Sequence, residues 1–216
     1  MSLKPQDICV LLKILALDRS PWSYSQLAYE LGMSASEVHA GVKRATEASL
    51  MRLEEGWGTP DPGALEEFLV HGVRYVFTPA HGGLTRGMPT SHAAPPLNRV
   101  LPRPEEPPPV WPDGQGEVRG YEFSPLYKSV PFAARRDPKL YELLALVDAI
   151  RGGAEKTREA AIRELRIRLG TQSANGKGPA AALPEAPGSR PAATGVRRGG
   201  NGQENQRVYR RRHRDS

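Results

Sequence analysis

Apolar residues recur at spacings of three and four from the start of the chain. Ile8, Leu11, Leu12 and Leu15 share one face, which predicts an amphipathic helix from about Lys4 to Leu17. Pro5 suits its first turn, and Asp18-Arg19-Ser20-Pro21 ends it. A second helix is signalled by Leu27, Ala28 and Leu31. Ser23 and Gln26 form a capping box at its start, and Gly32 stands where the chain needs a left-handed residue. The pattern restarts at once. Ser34 and Glu37 make another capping box, and Val38, Val42 and Ala45 form a narrow apolar stripe. Its opposite face carries Ser36, His39, Ala40, Lys43, Arg44 and Glu47. Between this helix and Asp61-Pro62, which opens another with Leu65, Phe68, Leu69 and Val73 inward, there is room only for a short hairpin.

Beyond residue 77 the helical period disappears. Residues 78–134 are rich in Pro and Gly and predict an extended connector anchored by Arg86, with a polyproline-type stretch at Glu105–Pro109. The aromatic-aliphatic cluster Tyr121, Phe123, Leu126, Tyr127, Val130 and Phe132 is costly to leave in water, so it either docks on the helices or forms a partner surface. Helical period returns after Asp137-Pro138, with Leu140, Leu143, Leu144, Val147 and Ile150 in a broad face ended by Arg151-Gly152-Gly153. A last helix over about 154–169 turns Ala161, Ile162, Leu165 and Leu169 inward, completing a helical hairpin. Residues 171–216 have almost no large apolar side chains, and the burial available to them does not offset ordering entropy. The expected organisation is therefore mostly α: a helix-turn-helix domain (1–77) with a reduced wing, an extended Pro/Gly-rich connector (78–134), a C-terminal helical hairpin (135–170) and a disordered basic tail (171–216).

Charge refines this picture. The net charge is +6, yet nine of the 30 Lys and Arg and only three of the 24 Asp and Glu lie in residues 171–216, so the rest of the chain is balanced. Basicity is a property of the tail and says nothing about what the folded part binds. In the tail, Arg207, Arg210, Arg211, Arg212 and Arg214 are expected to contact phosphates without sequence preference. The single cysteine, Cys9, lies within the first apolar helix and reads as a small core side chain in a reducing compartment, the cytoplasm. No apolar run approaches the ~18–20 residues of a membrane helix.

Leu27, Ala28, Leu31, Gly32 and Val38 follow the helix-turn-helix pattern: a small residue in the first helix, glycine in the turn and a β-branched residue packing the second helix. With the preceding helix, residues 4–52 resemble the N-terminal part of bacterial winged-helix regulators of the MarR type. That resemblance implies sequence-specific binding of double-stranded DNA by a transcriptional regulator, with helix 34–48 as the recognition helix. Ser34 and Ser36 supply small bulk near its N-terminus, His39, Lys43 and Arg44 extend along its outer side, and Ser25 reaches the backbone from the helix before. Glu54 and Glu55 at the tip of any hairpin would repel phosphate, so a minor-groove wing is not expected. Reading two half-sites calls for a homodimer, for which the row Leu140, Leu144 and Val147 is the expected seam. The alternative is a protein-interaction module, an antitoxin-like or complex-assembly partner that holds another protein through residues 121–169.

Enzymatic chemistry finds little support. Gly82-Gly83 and Gly87 flank Thr85 and Arg86, but the Lys of a phosphate loop is missing and prolines follow. His71, His81 and His92 share no ligand spacing with a carboxylate or cysteine. Ser91 and His92 are adjacent, and adjacent side chains rarely face each other for proton transfer. Neither a cofactor nor a metal is expected.

Overall fold

The structure is a computed structural model that describes residues 2–54, 57–102 and 105–171. The tail beyond Thr171, with Arg207, Arg210, Arg211, Arg212 and Arg214, lies outside them. The described part is mostly helical, with two small sheets. Helices α1 (Pro5–Ala16), α2 (Tyr24–Leu31) and α3 (Ala35–Glu47) form in the expected order. A hairpin of β1 (Met51–Glu54) and β2 (Trp57–Pro60) follows, pairing Met51 with Pro60 and Glu54 with Trp57. α4 (Pro62–Glu67) runs through a π-helical segment (Phe68–Gly72) into α5 (Val73–Val76). Asp61 caps α4 by accepting from the Ala64 amide at 2.9 Å.

Residues 78–134 correct the expectation of a plain connector. They hold β3 (His81–Pro89), β4 (Pro109–Pro112), β5 (Val118–Phe123) and α6 (Val130–Arg136). β3 pairs antiparallel with both β4 and β5, while β4 and β5 run parallel, so the three strands close on one another. Such tight closure leaves no room for a side chain at the crossings: a Cβ at Gly87 or Gly120 would fall on the Trp111 or Pro108 carbonyl. The glycines that look like loop residues in the sequence are therefore strand residues selected for close backbone approach. Arg86 is exposed on β3 and does not anchor the segment.

α7 (Pro138–Gly152) is the centre of the molecule, and α8 (Glu155–Leu169) folds back on it. Every residue from Leu143 to Arg151 is buried. α7 packs against α1, α5, α6, α8 and the 3-10 turn Ser91–Ala93, and one set of buried side chains runs from Ile8 to Leu169. Two corrections follow. The regions expected as separate domains share one core. Leu140, Leu144 and Val147, at no more than 1% exposure, are spent within the chain and cannot form a dimer seam. The same burial takes the α7 row out of any docking surface for another protein, whereas Ile167 of α8 stays half-exposed. The cluster over 121–132 does dock: Phe123, Leu126 and Val130 are buried, whereas Tyr121 and Phe132 keep substantial exposure.

Buried charges join the elements. Asp148 of α7 accepts from the Thr90 hydroxyl at 2.9 Å, the Trp111 indole at 2.5 Å and the Arg151 guanidinium at 2.6 Å, while Arg151 also donates to the Phe77 carbonyl at 2.8 Å. These bonds hold the three-stranded sheet and the end of α5 against α7. Lys13 sits between Glu30 at 2.5 Å and Asp137 at 2.6 Å, tying α1 to α2 and to the start of α7. Burial pushes the Cys9 thiol well above its ordinary value, which keeps it protonated and unreactive in the core. No helix among the described residues is long and apolar enough to cross a membrane.

Candidate nucleic-acid interface

α2 ends on Gly32, whose φ of +64° is the left-handed cap that lets the chain turn sharply into α3. Any side chain at this position would also meet the Phe132 ring, so the turn is constrained by its neighbour as well as by its backbone. Ser34 then starts α3. Its hydroxyl accepts from the Glu37 amide at 3.2 Å, and its own amide donates to the Glu37 carboxylate at 2.9 Å. The capping box expected there is complete. Its cost is that the Ser34 hydroxyl is already engaged with its own helix, leaving Ser34 only its small bulk at the helix start.

The outer face of α3 presents Ser36, His39 and Lys43, all exposed, at successive turns. Ser25 is exposed in the first turn of α2. The His39 ring lies 5.1 Å from that of Tyr24, which in turn meets Trp22 edge-on at 5.4 Å. Trp22 donates its indole N–H to the Gly58 carbonyl at 2.9 Å, so the aromatic row connects α3 and α2 to the β1–β2 hairpin. On the hairpin, Arg52 is well exposed and pairs with Asp61 at 2.5 Å.

Arg44 is a correction. It was expected on the outer face beside Lys43, but its side chain is only 8% exposed and turns inward to Asp7 of α1. Nε reaches one carboxylate oxygen at 2.8 Å and Nη2 the other at 2.6 Å, a bidentate pair. Helical position alone puts Arg44 at the edge of the apolar stripe. An acid facing it from α1 decides the direction, and nothing local to α3 reveals that acid.

Tertiary packing also adds residues that the helix pattern does not suggest. The Tyr127 hydroxyl, from the segment after β5, donates to Glu37 at 2.5 Å. Lys128 follows, with its amine 5.9 Å from the Tyr127 ring and its charge felt at Glu37. Together the Tyr127 hydroxyl, the Ser34 amide and the Ser34 hydroxyl hold the Glu37 carboxyl down at about 2, with Lys128 assisting. A carboxyl depressed in the folded state stabilises the fold fully above its ordinary value of 4.5, and that contribution is lost as pH falls from there toward about 2. Tyr127→Phe should move the Glu37 midpoint upward and narrow this window, as read by carboxyl-carbon NMR titration. An unchanged midpoint would mean that the Tyr127 bond contributes nothing to holding α3.

The three histidines do not meet at one point. His71 is exposed on the π-helical segment, His81 stacks edge-on against Phe123 at 5.1 Å, and His92 is half-buried. Among the described residues no three His, Cys, Asp or Glu side chains are placed to share a metal ion. Comparison with known protein families, with characterised proteins and with solved structures finds no match.

Proposed function

We propose that this protein binds double-stranded DNA as a winged-helix transcriptional regulator with a short wing, reading sequence with the outer face of α3. The observation that carries the proposal is the row Ser36, His39 and Lys43. It is exposed on a helix that is capped at its start, clamped to α1 through Asp7–Arg44 and followed directly by a two-stranded hairpin. A rigid helix with short side chains near its N-terminus and longer donors further along suits entry into the major groove. Within that row Lys43 is the candidate for guanine or phosphate, and His39 for a base edge. Lys128, whose charge is felt at Glu37 of α3, and Arg52, exposed on the hairpin, suit backbone contacts. Arg44 supports the helix and reads nothing. In this reading a second copy on the other half-site pairs through a surface other than Leu140, Leu144 and Val147.

The test is fluorescence anisotropy on the DNA upstream of the protein's own gene and on a scrambled duplex, over several salt concentrations. Lys43→Ala should lose about 1–3 kcal/mol on the specific duplex if it reads a base, or lower the salt slope by about 1 on both duplexes if it contacts phosphate. Its melting temperature should stay at the wild-type value, because the side chain is exposed. Unchanged affinity and slope in Lys43→Ala and in His39→Ala would remove α3 as the reader.

A further inference from the structure

The three-stranded sheet, the 3-10 turn Ser91–Ala93 and the start of α8 line a half-open cavity of about 470 Å³. That volume lies in the ~300–1,000 Å³ range of small-ligand sites. Much of the wall is apolar, with Leu101, Pro107, Pro109 and Phe123. The polar groups on it have a common character. Ser91 is 3% exposed, and its hydroxyl makes no hydrogen bond to any other described residue. Its φ of +53° is a left-handed conformation that a serine seldom adopts. Thus a nearly buried serine, whose hydroxyl keeps access to the cavity it lines, sits on a backbone that a glycine would occupy more easily.

The start of α8 opens on the same space. Gly153, Ala154, Lys156 and Thr157 line it. Ala154 is the N-cap and has no side chain to cap with, so the amides of Glu155, Lys156 and Thr157 find no acceptor among the described residues. Lys156 and Glu106 are the charged side chains on the wall and offset each other. The pull on an oxyanion comes from the free amides, the helix dipole and the Ser91 hydroxyl, against the Glu155 carboxylate of the same turn. Burial lowers the His92 pKa, so its imidazole is neutral near pH 7 and adds one N–H donor without a charge. Glu106 and His92 also form part of a second cavity, of about 430 Å³, beside the buried and unpartnered Oδ1 of Asn98.

We infer that this cavity binds a small molecule with an oxyanion on an apolar body, a carboxylate or a phosphate monoester, whose oxygens are held by Ser91 and the first turn of α8. The site is separate from α3 and its function does not depend on DNA binding.

Benzoate and phenyl phosphate are the probes, with benzyl alcohol as the uncharged control, titrated into the full chain by calorimetry and by amide NMR. At least one anion should bind saturably, with shifts at the amides of Glu155, Lys156 and Thr157, and benzyl alcohol should bind about tenfold more weakly, the loss of one charge-assisted hydrogen bond. Which anion binds tells a carboxylate ligand from a phosphate one. Ser91→Gly removes the hydroxyl and relieves the left-handed strain, so it should melt no lower than wild type yet bind the anion about tenfold more weakly. The inference is overturned if neither anion saturates by about 10 mM, if the control binds as well as the anions, if the shifts lie away from α8, or if Ser91→Gly binds like wild type.

Discussion

Leu144→Glu is expected to abolish the folded state. Leu144 is 1% exposed in the middle of α7, the helix on which α1, α5, α6 and α8 all pack. Removing its side chain alone would cost about 2–5 kcal/mol through lost burial and the cavity left behind. Glutamate adds a carboxylate at a position surrounded by apolar side chains. Either the charge is buried, or the group takes up a proton at a further cost. The sum exceeds roughly 5 kcal/mol, comparable to the whole stability of an ordinary domain. Far-ultraviolet circular dichroism and a thermal melt test this directly. A variant that is well folded and monomeric, from a dimeric wild type, would instead put the α7 row at a subunit seam, against the burial described above.

Arg44→Ala ranks next. The guanidinium and Asp7 form a bidentate pair in which Asp7 is fully buried. Truncating one member of a buried pair leaves the other charged and uncompensated, which typically costs about 3–5 kcal/mol. The partner variant Asp7→Ala should be destabilised by a similar amount. The double variant Asp7→Leu/Arg44→Met should recover much of the loss, because an apolar pair leaves no stranded charge. Chemical denaturation of the four proteins closes this cycle. Under the proposed function, Arg44→Ala should weaken DNA binding by unfolding, whereas Lys43→Ala should do so without changing stability. If Arg44→Ala melts like wild type and still loses affinity, Arg44 contacts DNA and its pairing with Asp7 is exchanged on binding.

The local grammar of this protein is written in its sequence. The apolar stripes at Ile8–Leu15, Leu27–Leu31 and Val38–Ala45 become α1, α2 and α3, because side chains three and four apart on a helix must share a face. Ser23, Ser34, Asp61 and Asp137 cap helices as their positions imply, since an oxygen just before a helix satisfies amides that have no other acceptor. Ser36, His39 and Lys43 were legible as an exposed row for the same reason. Interactions between residues far apart in the chain were not legible. Arg44 turns inward because Asp7 is 37 positions away in sequence yet in hydrogen-bond contact. The Pro/Gly-rich stretch becomes a closed sheet because strand pairing is non-local and its alternation is interrupted by glycines needed for backbone contact. α7 reads as half of an amphipathic hairpin, but with helices and the 3-10 turn packed around it, it is buried on nearly every side. Helix positions, caps and exposed faces were thus determined by the sequence alone, through contacts within a few residues. Which charge is paired and which apolar face is spent were decided only by the tertiary structure, because each depends on a group that chain connectivity does not bring near.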